Sequence, residues 1–345
     1  MNGCAAIVPH MIQRALRWFY GLAALLCAMG ANAQTLPSWN EGDAKRRIVA
    51  FVHAVTDQTG KDFVPTSERV AVFDNDGTLW SEQPLYFQFQ FMLEQVEAEA
   101  AKHPEWKDDP AFEALVARDH EAVAHMGLKP ILSLVAKANS GMSVGAYDLT
   151  IRNWLKTAKH PRFNRPYTDL IYQPMRELLD YLRQNGFKTY IVSGGSVEFM
   201  RPWVEQAYGI PPEQVIGSIS KVSYAMQGDM PVLMREPQME FVDDGPGKPV
   251  GIYRAIGRRP IAAFGNSDGD LQMLQFTGAG SGVRLTMIVR HTDAAREWAY
   301  DRASHVGKLD KGLDDAKAKG WTIVSMKDDW NNIYPSPNPL HQPKP

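Results

Sequence analysis

Two carboxylates follow a short apolar segment in the first quarter of the chain. Residues 69–73 are Arg-Val-Ala-Val-Phe, and Asp-Asn-Asp-Gly-Thr follows at 74–78. A carboxylate can act as a nucleophile, and a second one can protonate a leaving oxygen and later activate water. Asp74 and Asp76 are therefore the candidate nucleophile and general acid–base of a hydrolytic reaction. Gly77 allows the chain to turn sharply between them and the following residues.

A string rich in Asp and Gly also occurs in calcium-binding loops of the EF-hand type. Such a loop has Gly at its sixth position and Glu at its twelfth. Counted from Asp74, these positions hold Leu79 and Leu85. In a second Asp-containing string, at 266–270, the sixth position is Leu271. The sequence therefore excludes an EF-hand loop at both places.

Four short apolar segments end in polar clusters and predict buried parallel strands. These segments are residues 69–73, 188–192, 260–264 and 285–289. Helical patterns lie between them and stop at Gly186, Gly209 and Gly257. The alternation of strands and helices predicts an α/β fold with a doubly wound, Rossmann-like, mainly parallel sheet. In such sheets ligands bind beyond the carboxyl ends of the strands, where the polar clusters are expected.

About a hundred residues with mostly helical periodicity separate the first two predicted strands. This length exceeds a simple crossover and predicts an inserted helical subdomain that covers the site. A smaller insertion at 219–242 alternates around a Gly228 turn and predicts a hairpin. The predicted division is a signal peptide at 1–33, an α/β core at 34–80 and 165–334, a helical cap at 81–164, and a proline-rich tail at 335–345.

The apolar strand followed by Asp-x-Asp-Gly-Thr resembles the first motif of the haloacid dehalogenase (HAD) superfamily of hydrolases. Later segment ends fit its other three motifs, so the resemblance spans most of the chain after residue 33. It implies that Asp74 is a covalent nucleophile and that Asp76 is the acid and base. Ser193 and Gly194 match the second motif, which binds phosphoryl oxygens, and Lys248 matches the third, which neutralises charge on nucleophile and phosphate.

The fourth motif of the family carries an acidic pair, and here the chain departs from the common pattern. In Gly-Asn-Ser-Asp-Gly-Asp, Asn266 stands where the family has its first Asp, and Asp270 takes the second place. An amide oxygen can bind Mg²⁺ but brings no charge. The resemblance implies a Mg²⁺ site formed by Asp74, the Asp76 carbonyl oxygen and Asn266, with Asp270 nearby or bound through water. Asp268 is an alternative direct ligand.

The second acid of the first motif separates branches of the superfamily. Dehalogenases lack it because their leaving group needs no proton, so Asp76 argues against dehalogenation. The long insertion after the first motif resembles the phosphoserine-phosphatase-like branch, which has a helical cap. The resemblance predicts a Mg²⁺-dependent phosphomonoesterase that hydrolyses small phosphate esters through an aspartyl-phosphate intermediate. The alternatives are a pyrophosphatase, or a non-catalytic protein of the same fold that binds a phosphate metabolite.

Substrate contacts are expected in the cap and in the aromatic-rich segment after Thr78. Trp80 and Glu82 are the candidates in that segment, and Glu82 could hold an ammonium group. An amino-alcohol phosphate such as phosphoserine or phosphocholine is therefore a candidate substrate. Further candidate contacts in the cap are Arg118, His120, His125 and Arg152.

The first 33 residues have the pattern of a secretory signal peptide. Arg14 and Arg17 precede an apolar run at 18–29, and Ala-Asn-Ala at 31–33 fits a cleavage site. The run is shorter than the roughly 20 residues that span a bilayer. These features predict cleavage after Ala33 and a periplasmic or secreted protein without membrane association after cleavage.

Composition excludes polyanions as partners. The 345 residues carry a net charge of −2 and no dense block of Lys and Arg, so nucleic acid is not attracted. Cys4 and Cys27, the two cysteines, both precede the cleavage site, so the mature chain needs no disulfide. The expected partner is a small phosphate ester, and the sequence leaves the oligomeric state open.

Overall fold

The computed structural model of the protein describes residues 35–117 and 141–336, and positions 119, 122, 126, 130 and 134 between them. The predicted signal peptide, most of the predicted tail, and the candidate contacts Arg118, His120 and His125 lie outside the described residues. The chain up to Pro37 forms one unit, and Ser38 begins a second. The fold that follows is that of the second unit.

Within the described residues, eight strands form one mostly parallel sheet. The strands are β1 (Val70–Phe73), β2 (Lys188–Ser196), β3 (Val215–Gln227), β4 (Met230–Phe241), β5 (Ala262–Gly265), β6 (Leu285–Thr292), β7 (Ala299–Tyr300) and β8 (Thr322–Ser325). Their order is β4-β3-β2-β1-β5-β6-β7, with β8 beside β6. β4 and β7 run antiparallel to their neighbours, and the other pairs are parallel. The predicted α/β fold with its mainly parallel sheet is confirmed.

Helices flank the sheet and fill the connections between strands. The α-helices of the described residues are α1 (Asp43–Thr56), α2 (Phe87–Glu99), α3 (Pro110–Val116), α4 (Val144–Thr157), α5 (Gln173–Gln184), α6 (Val197–Tyr208), α7 (Gly247–Ile256), α8 (Leu271–Gly278), α9 (Lys311–Lys319) and α10 (Met326–Asp329). Gly209 and Gly257 end α6 and α7 in the left-handed conformation, as their sequence positions predict. None of these helices is both long and apolar enough to cross a membrane.

The two insertions place helices and a hairpin over the carboxyl edge of the sheet. α2, α3 and α4 lie between β1 and β2, and α4 packs against α6 and β4. The predicted hairpin is present, with Gly228 at φ +61° between β3 and β4. Its first strand also pairs in parallel with β2, so the hairpin continues an edge of the main sheet. The boundaries of a separate cap at 81–164 remain a prediction.

β1 lies at the centre of the sheet, between β2 and β5. All four of its residues are buried, because the parallel sheet is covered on both faces by helices. A continuous apolar run is the sequence pattern that such a strand requires. The residues that follow β1 therefore emerge at the middle of the carboxyl edge.

A buried acid, Asp243, lies where β4 leads into α7. Its side chain is fully buried, and within the described residues neither of its carboxylate oxygens accepts a hydrogen bond. α7 packs closely here, since a Cβ on Gly251 would lie 2.2 Å from Asp243 Oδ1. Burial raises the pKa of Asp243 to about 7, while the Lys248 ammonium opposes this rise. The carboxylate form is therefore unfavourable in the folded protein.

Asp243 should make the folded protein less stable as the pH rises. The unfolded chain releases this proton near pH 4 and the folded chain near pH 7, so stability is lost between these values. The loss is on the order of 2–4 kcal/mol. In Asp243→Asn the free energy of unfolding, measured by urea titration at pH 5 and pH 8, should fall less between the two pH values. An equal fall in both proteins would contradict the prediction.

Candidate active site

The carboxyl ends of β1 and β5 bring the two Asp-containing loops together. The rings of Phe73 and Phe264 stack with centroids 4.3 Å apart, and the Asp74 N–H donates to the Phe264 carbonyl at 2.9 Å. Gly77 has φ +74°, and a Cβ there would lie 2.1 Å from Asn266 Nδ2. Only glycine therefore allows the loop after β1 to approach the loop after β5 this closely.

Lys248 joins the two loops through its ammonium group. Its Nζ lies 2.7 Å from Asp74 Oδ1 and 2.6 Å from Asp270 Oδ1, and all three side chains are buried. The other Asp270 oxygen accepts from the backbone N–H groups of Asn266 and Ser267, at 2.9 and 3.0 Å. Both oxygens of Asp270 thus already have donors. This arrangement places Asp270 behind Lys248, where it positions the cation and the loop.

The electrostatics of this cluster follow from its burial. Burial and the neighbouring Asp270 carboxylate raise the pKa of Asp74, and the Lys248 ammonium acts in the opposite direction. Burial alone would lower the pKa of Lys248, but Asp270 and Asp74 raise it overall. Lys248 is therefore positively charged throughout the physiological range. Its ammonium group lies beside Asp74 Oδ1, and both residues line the cavity.

Asp76 is held by an aromatic side chain. Its Oδ1 accepts from Trp80 Nε1 at 2.9 Å, and Trp80 is fully buried against Trp203, with ring centroids 4.3 Å apart. Burial raises the pKa of Asp76 to about 6, and the Trp80 hydrogen bond opposes part of the rise. Asp76 is thus a stronger candidate for proton donation near neutral pH than an ordinary carboxyl. Trp80, expected at the substrate, lies behind Asp76 and orients it.

The second loop follows β2 and surrounds Ser193. This side chain is buried, and its Oγ accepts from the Gly195 N–H at 3.1 Å. The Gly194 carbonyl accepts from Ser218 Oγ at 2.8 Å, which fixes this peptide against β3. Ser193 and Gly194 both line the same cavity as Asp74, as the sequence analysis expects.

A residue of α2 completes this loop. Gln88 Oε1 accepts from the Ser196 N–H at 2.8 Å, and Gln88 Nε2 donates to Ser196 Oγ at 3.1 Å. The same hydroxyl accepts from the Phe199 N–H and so caps α6. Sequence reasoning missed Gln88, because its partner lies 108 positions later in the chain.

The amide of Asn266 is oriented by a hydrogen-bond donor at its oxygen and an acceptor at its nitrogen. Its Oδ1 accepts from Thr78 Oγ1 at 3.0 Å, and its Nδ2 donates to Glu82 Oε1 at 2.7 Å. Tyr300 donates to the same Glu82 oxygen at 2.6 Å. Burial raises the pKa of Glu82 to about 8. Glu82, expected to hold a substrate ammonium, thus has Asn266 and Tyr300 as its partners, although it also borders the cavity.

The oxygen atoms at this edge fit a magnesium ion. Thr78 Oγ1 lies 3.4 Å from Asp74 Oδ2 and 3.0 Å from Asn266 Oδ1, so this hydroxyl brings the two oxygens close to each other. With the Asp76 carbonyl oxygen, which the family resemblance adds, they would make the oxygen-rich set that Mg²⁺ prefers. No group of three His, Cys, Asp or Glu side chains that could hold a metal occurs in the described part of the chain. The candidate set has one acidic side chain, an amide and a carbonyl.

Asp268, the alternative ligand, faces away from this point. Its Oδ1 accepts from the N–H groups of Asp310 and Gly312, at 2.9 and 2.8 Å, at the start of α9. Such bonds satisfy donors that a helix leaves free at its N-terminus. These bonds give Asp268 a capping role, and its direct binding of the metal stays a prediction.

A histidine that the sequence analysis did not single out supports the first loop. His291 Nε2 lies 2.9 Å from the Gly77 carbonyl oxygen, and His291 Nδ1 lies 3.1 Å from Glu297 Oε2. Tyr172 donates to the other Glu297 oxygen at 2.9 Å. All three side chains are buried, and through the Gly77 carbonyl they hold the turn that carries Asp74 and Asp76.

One cavity of about 260 Å³ joins these groups to the two insertions. Its lining includes Asp74, Asp76, Ser193 and Lys248 from the core, Gln88, Phe89, Met92 and Tyr147 from the helices, and Ser220, Arg235 and Met239 from the hairpin. Arg152, a candidate contact, instead pairs with Asp148 on the surface of α4. The cavity fits a small ligand with one end among the carboxylates.

The chain matches one family of hydrolases and resembles several solved structures. The haloacid dehalogenase-like hydrolase family matches residues 71–275. Similar solved structures include a protein with unknown function from Bordetella pertussis Tohama I, with 14% identity, TM-score 0.47 and coverage of 75% of this chain and 99% of that one. A functionally unknown protein from Anaerococcus prevotii DSM 20548 has 15% identity, TM-score 0.49 and coverage of 85% and 94%. A probable phosphoserine phosphatase from Vibrio cholerae has 13% identity, TM-score 0.41 and coverage of 76% and 62%. No curated protein matches the chain by sequence.

Asp268 should contribute to stability and not to metal binding. Asp268→Ala removes two hydrogen bonds to the start of α9 and should lower the free energy of unfolding by about 1 kcal/mol. Asp268→Asn keeps an oxygen acceptor and should stay within about 0.5 kcal/mol of the wild type. Urea unfolding measures both values, and calorimetric titration with Mg²⁺ should give one affinity for all three proteins. A tenfold weaker affinity in Asp268→Asn would restore the ligand role.

Asn266 and Glu82 should be energetically coupled. Asn266→Asp places a carboxylate against Glu82 in a buried site and should lower the melting temperature by several degrees at pH 9, with chelator present. Adding Glu82→Gln exchanges the acid and the amide and should recover most of the loss. The double-mutant cycle is expected to give a coupling energy of about 1–3 kcal/mol. Additive effects of the two substitutions would mean that the contact carries no energy.

Proposed function

The chain belongs to the haloacid dehalogenase-like hydrolases, and from this membership we propose that it is an exported, Mg²⁺-dependent phosphomonoesterase of small phosphate esters. Asp74, with one oxygen on Lys248 and the other facing the oxygen cluster of Thr78 and Asn266, is the observation that carries the proposal. A carboxylate that is held by an ammonium group on one oxygen and has its other oxygen beside candidate Mg²⁺ ligands is oriented to attack phosphorus. Export rests on the signal-peptide pattern of the first 33 residues.

In the first step the residues of the cavity bind a phosphate ester and transfer its phosphoryl group. Ser193 Oγ and the Gly194 backbone N–H donate to phosphoryl oxygens, and Lys248 neutralises their charge. Asp74 attacks phosphorus, so a bond from its oxygen to phosphorus forms while the bond to the ester oxygen breaks. Asp76 gives its proton to that departing oxygen, which leaves as an alcohol.

The second step returns the enzyme to its starting state. Asp76, now deprotonated, takes a proton from a water molecule, and the water oxygen attacks phosphorus. The bond between phosphorus and Asp74 breaks, which releases inorganic phosphate and frees the nucleophile. Bound at Asp74, Asn266 and the Asp76 carbonyl, Mg²⁺ would supply positive charge that lowers the repulsion between carboxylate and phosphate.

The site contains groups that the two alternative functions do not require. A phosphate-binding protein needs Lys248 and Ser193 but not a half-buried second acid that Trp80 orients and that lines the cavity. In a pyrophosphatase the leaving group is phosphate, which departs without strong help from an acid. The raised pKa of Asp76 therefore favours esters of alcohols over both alternatives. An amino-alcohol phosphate remains a candidate substrate.

Substitution of the two acids should separate their roles. Phosphate release from a panel of alkyl and aryl esters and pyrophosphate, measured with Mg²⁺ and with chelator, should depend on the metal. Asp74→Asn should lose at least a thousandfold for every substrate because the nucleophile is gone. Asp76→Asn should lose about 10²–10⁴-fold for alkyl esters and less for aryl esters, whose leaving groups need no acid.

Asp268→Asn is the matched control for these variants, since it changes a carboxylate of the neighbouring loop that caps α9. Its turnover should equal that of the wild type. Activity retained in Asp74→Asn would assign the nucleophile elsewhere. The absence of release from any compound by the wild type would favour the binding protein.

A further inference from the structure

One acidic side chain of the cavity lining has no partner in the described part of the chain. Asp244 lies between β4 and α7 and lines the same cavity as Asp74 and Ser193. It is exposed, and its carboxylate neither accepts a hydrogen bond nor pairs with a cation among the described residues. The other acids of the lining each have a donor, which is Lys248 for Asp74, Trp80 for Asp76 and Tyr300 for Glu82.

Asp244 lies directly beside the loop after β2, which consists of Ser193, Gly194 and Gly195 and is called the phosphate loop below. A Cβ on Gly194 would lie 3.5 Å from Asp244 Oδ1. A Cβ on the next residue, Gly195, would lie 3.3 Å from Ser193 Oγ and 3.8 Å from Asp76 Oδ2. Asp244 and the candidate proton donor Asp76 are therefore neighbours of consecutive residues in the loop that would hold the phosphoryl group.

The backbone around Asp244 is tied to the neighbouring loop and helix. The Gly245 N–H donates to the carbonyl of Gly269, in the loop after β5, at 3.2 Å. The Asp244 carbonyl accepts from the N–H of Gly247, at the start of α7, at 2.8 Å. A Cβ on Gly269 would lie 2.8 Å from Asp244 Oδ1, so the missing side chain there leaves room for the carboxylate. Asp244 is thus placed between the loops after β2 and β5.

A carboxylate in this place acts in opposite ways on two kinds of phosphate ester. The phosphoryl group is negatively charged, so Asp244 repels an ester whose alcohol part is uncharged. The ammonium group of Lys248 is already shared between Asp74 and Asp270, at 2.7 and 2.6 Å. If the alcohol carries a positive charge close to the phosphate, the carboxylate attracts that end of the ligand. Asp244 is therefore unfavourable at a phosphate site unless the ligand brings a cation with it.

The surroundings of Asp244 suit a short alcohol with a positively charged nitrogen. Val242 and Met239, shortly before Asp244 in the chain, give the cavity an apolar lining that can contact the carbon atoms of such an alcohol. In 2-aminoethyl esters two carbon atoms separate the ester oxygen from the nitrogen, which suits a carboxylate that lies next to the phosphate loop. Glu82, expected to hold an ammonium group, accepts from Asn266 and Tyr300 instead. The carboxylate that is available in this cavity is that of Asp244.

We propose that Asp244 binds a positively charged nitrogen on the alcohol part of the substrate and so selects phosphate monoesters of short amino alcohols over those of uncharged alcohols. The proposal rests on the phosphomonoesterase function above and narrows its substrate class. No bond forms or breaks at Asp244, which acts on specificity alone. Its contact with the alcohol part fixes the ester beside the phosphate loop while Asp74 attacks phosphorus.

Two pairs of esters with the same shape but different charge test the proposal. Phosphoethanolamine carries an ammonium group where propyl phosphate has a methyl group, and phosphocholine carries a charged nitrogen where 3,3-dimethylbutyl phosphate has a carbon. The value of kcat/KM is measured for all four with Mg²⁺, in the wild type and in Asp244→Asn. Because each pair is compared in both proteins, differences in the intrinsic reactivity of the esters cancel.

Asp244→Asn should change the two members of a pair in opposite directions. The value of kcat/KM should fall for the charged ester, which loses an attraction, and rise for the uncharged ester, which loses a repulsion, in both cases mainly through KM. The ratio of the two values should therefore shrink by about threefold or more. High KCl concentration should weaken the effect of Asp244 in the wild type, since salt screens an exposed charge.

Two further variants separate the charge at this position from other effects. Asp244→Glu keeps a carboxylate and should retain most of the ratio. Glu240→Gln is the matched control, because it removes the same charge four positions earlier, from an exposed residue of β4 outside the cavity lining. It should leave all four values unchanged. A ratio that shrinks in Asp244→Asn in the first pair but not in the second identifies a hydrogen bond to a primary ammonium group.

The outcomes distinguish a failure of this contact from a failure of the proposed phosphatase. A ratio that shrinks less in Asp244→Asn than expected in both pairs, or equal losses for both members of each pair, would overturn the contact and leave the phosphatase standing. If the wild type hydrolyses none of the four esters, thermal shifts with the same esters replace turnover. A larger shift with the charged member, lost in Asp244→Asn, would support the contact without the phosphatase. Equal shifts, or a difference that Asp244→Asn retains, would overturn the contact as well.

Discussion

The site depends on one buried ammonium group between two carboxylates. Lys248 bridges Asp74, after β1, and Asp270, after β5, and so ties α7 to both strand ends. Removing one partner from a buried ion pair costs about 3–5 kcal/mol, because the remaining charge is left without compensation. Without Lys248 the two carboxylates would repel each other at low dielectric, and the loops that carry them would separate. The Lys248 ammonium group thus holds Asp74 in position and also supplies the positive charge next to it.

The amide at Asn266 is consistent with this distribution of charge. One lysine already serves two carboxylates, and Glu82 adds a third acidic group at 2.7 Å from the Asn266 amide. Another carboxylate at position 266 would lie against Glu82, whereas in the described part of the chain Lys248 contacts Asp74 and Asp270. The departure from the family pattern therefore reflects a neighbour, Glu82, that the family motif does not include. The Glu82 carboxyl and the Asn266 amide lie next to each other in this cluster of polar side chains.

Sequence reasoning succeeded where the chemistry directly follows a strand. The apolar run before Asp74 and the run before Ser193 located both residues at the carboxyl edge, because a buried parallel strand leaves a continuous pattern. It could not assign Trp80 its place behind Asp76, nor find Gln88. These roles depend on contacts between segments that are far apart in the chain, and periodicity describes only neighbours. Asp268 shows the same limit, since its partners belong to a helix some 40 residues later.

The two hydrogen bonds between Gln88 and Ser196 connect α2 to the loop that follows β2. Any displacement of α2 away from the sheet breaks both of them and exposes the Ser196 amide to water. A movement of α2 that opens the cavity therefore also loosens the loop that follows β2. The rate at which the Ser196 amide hydrogen exchanges with deuterium reports directly on how often the cavity opens.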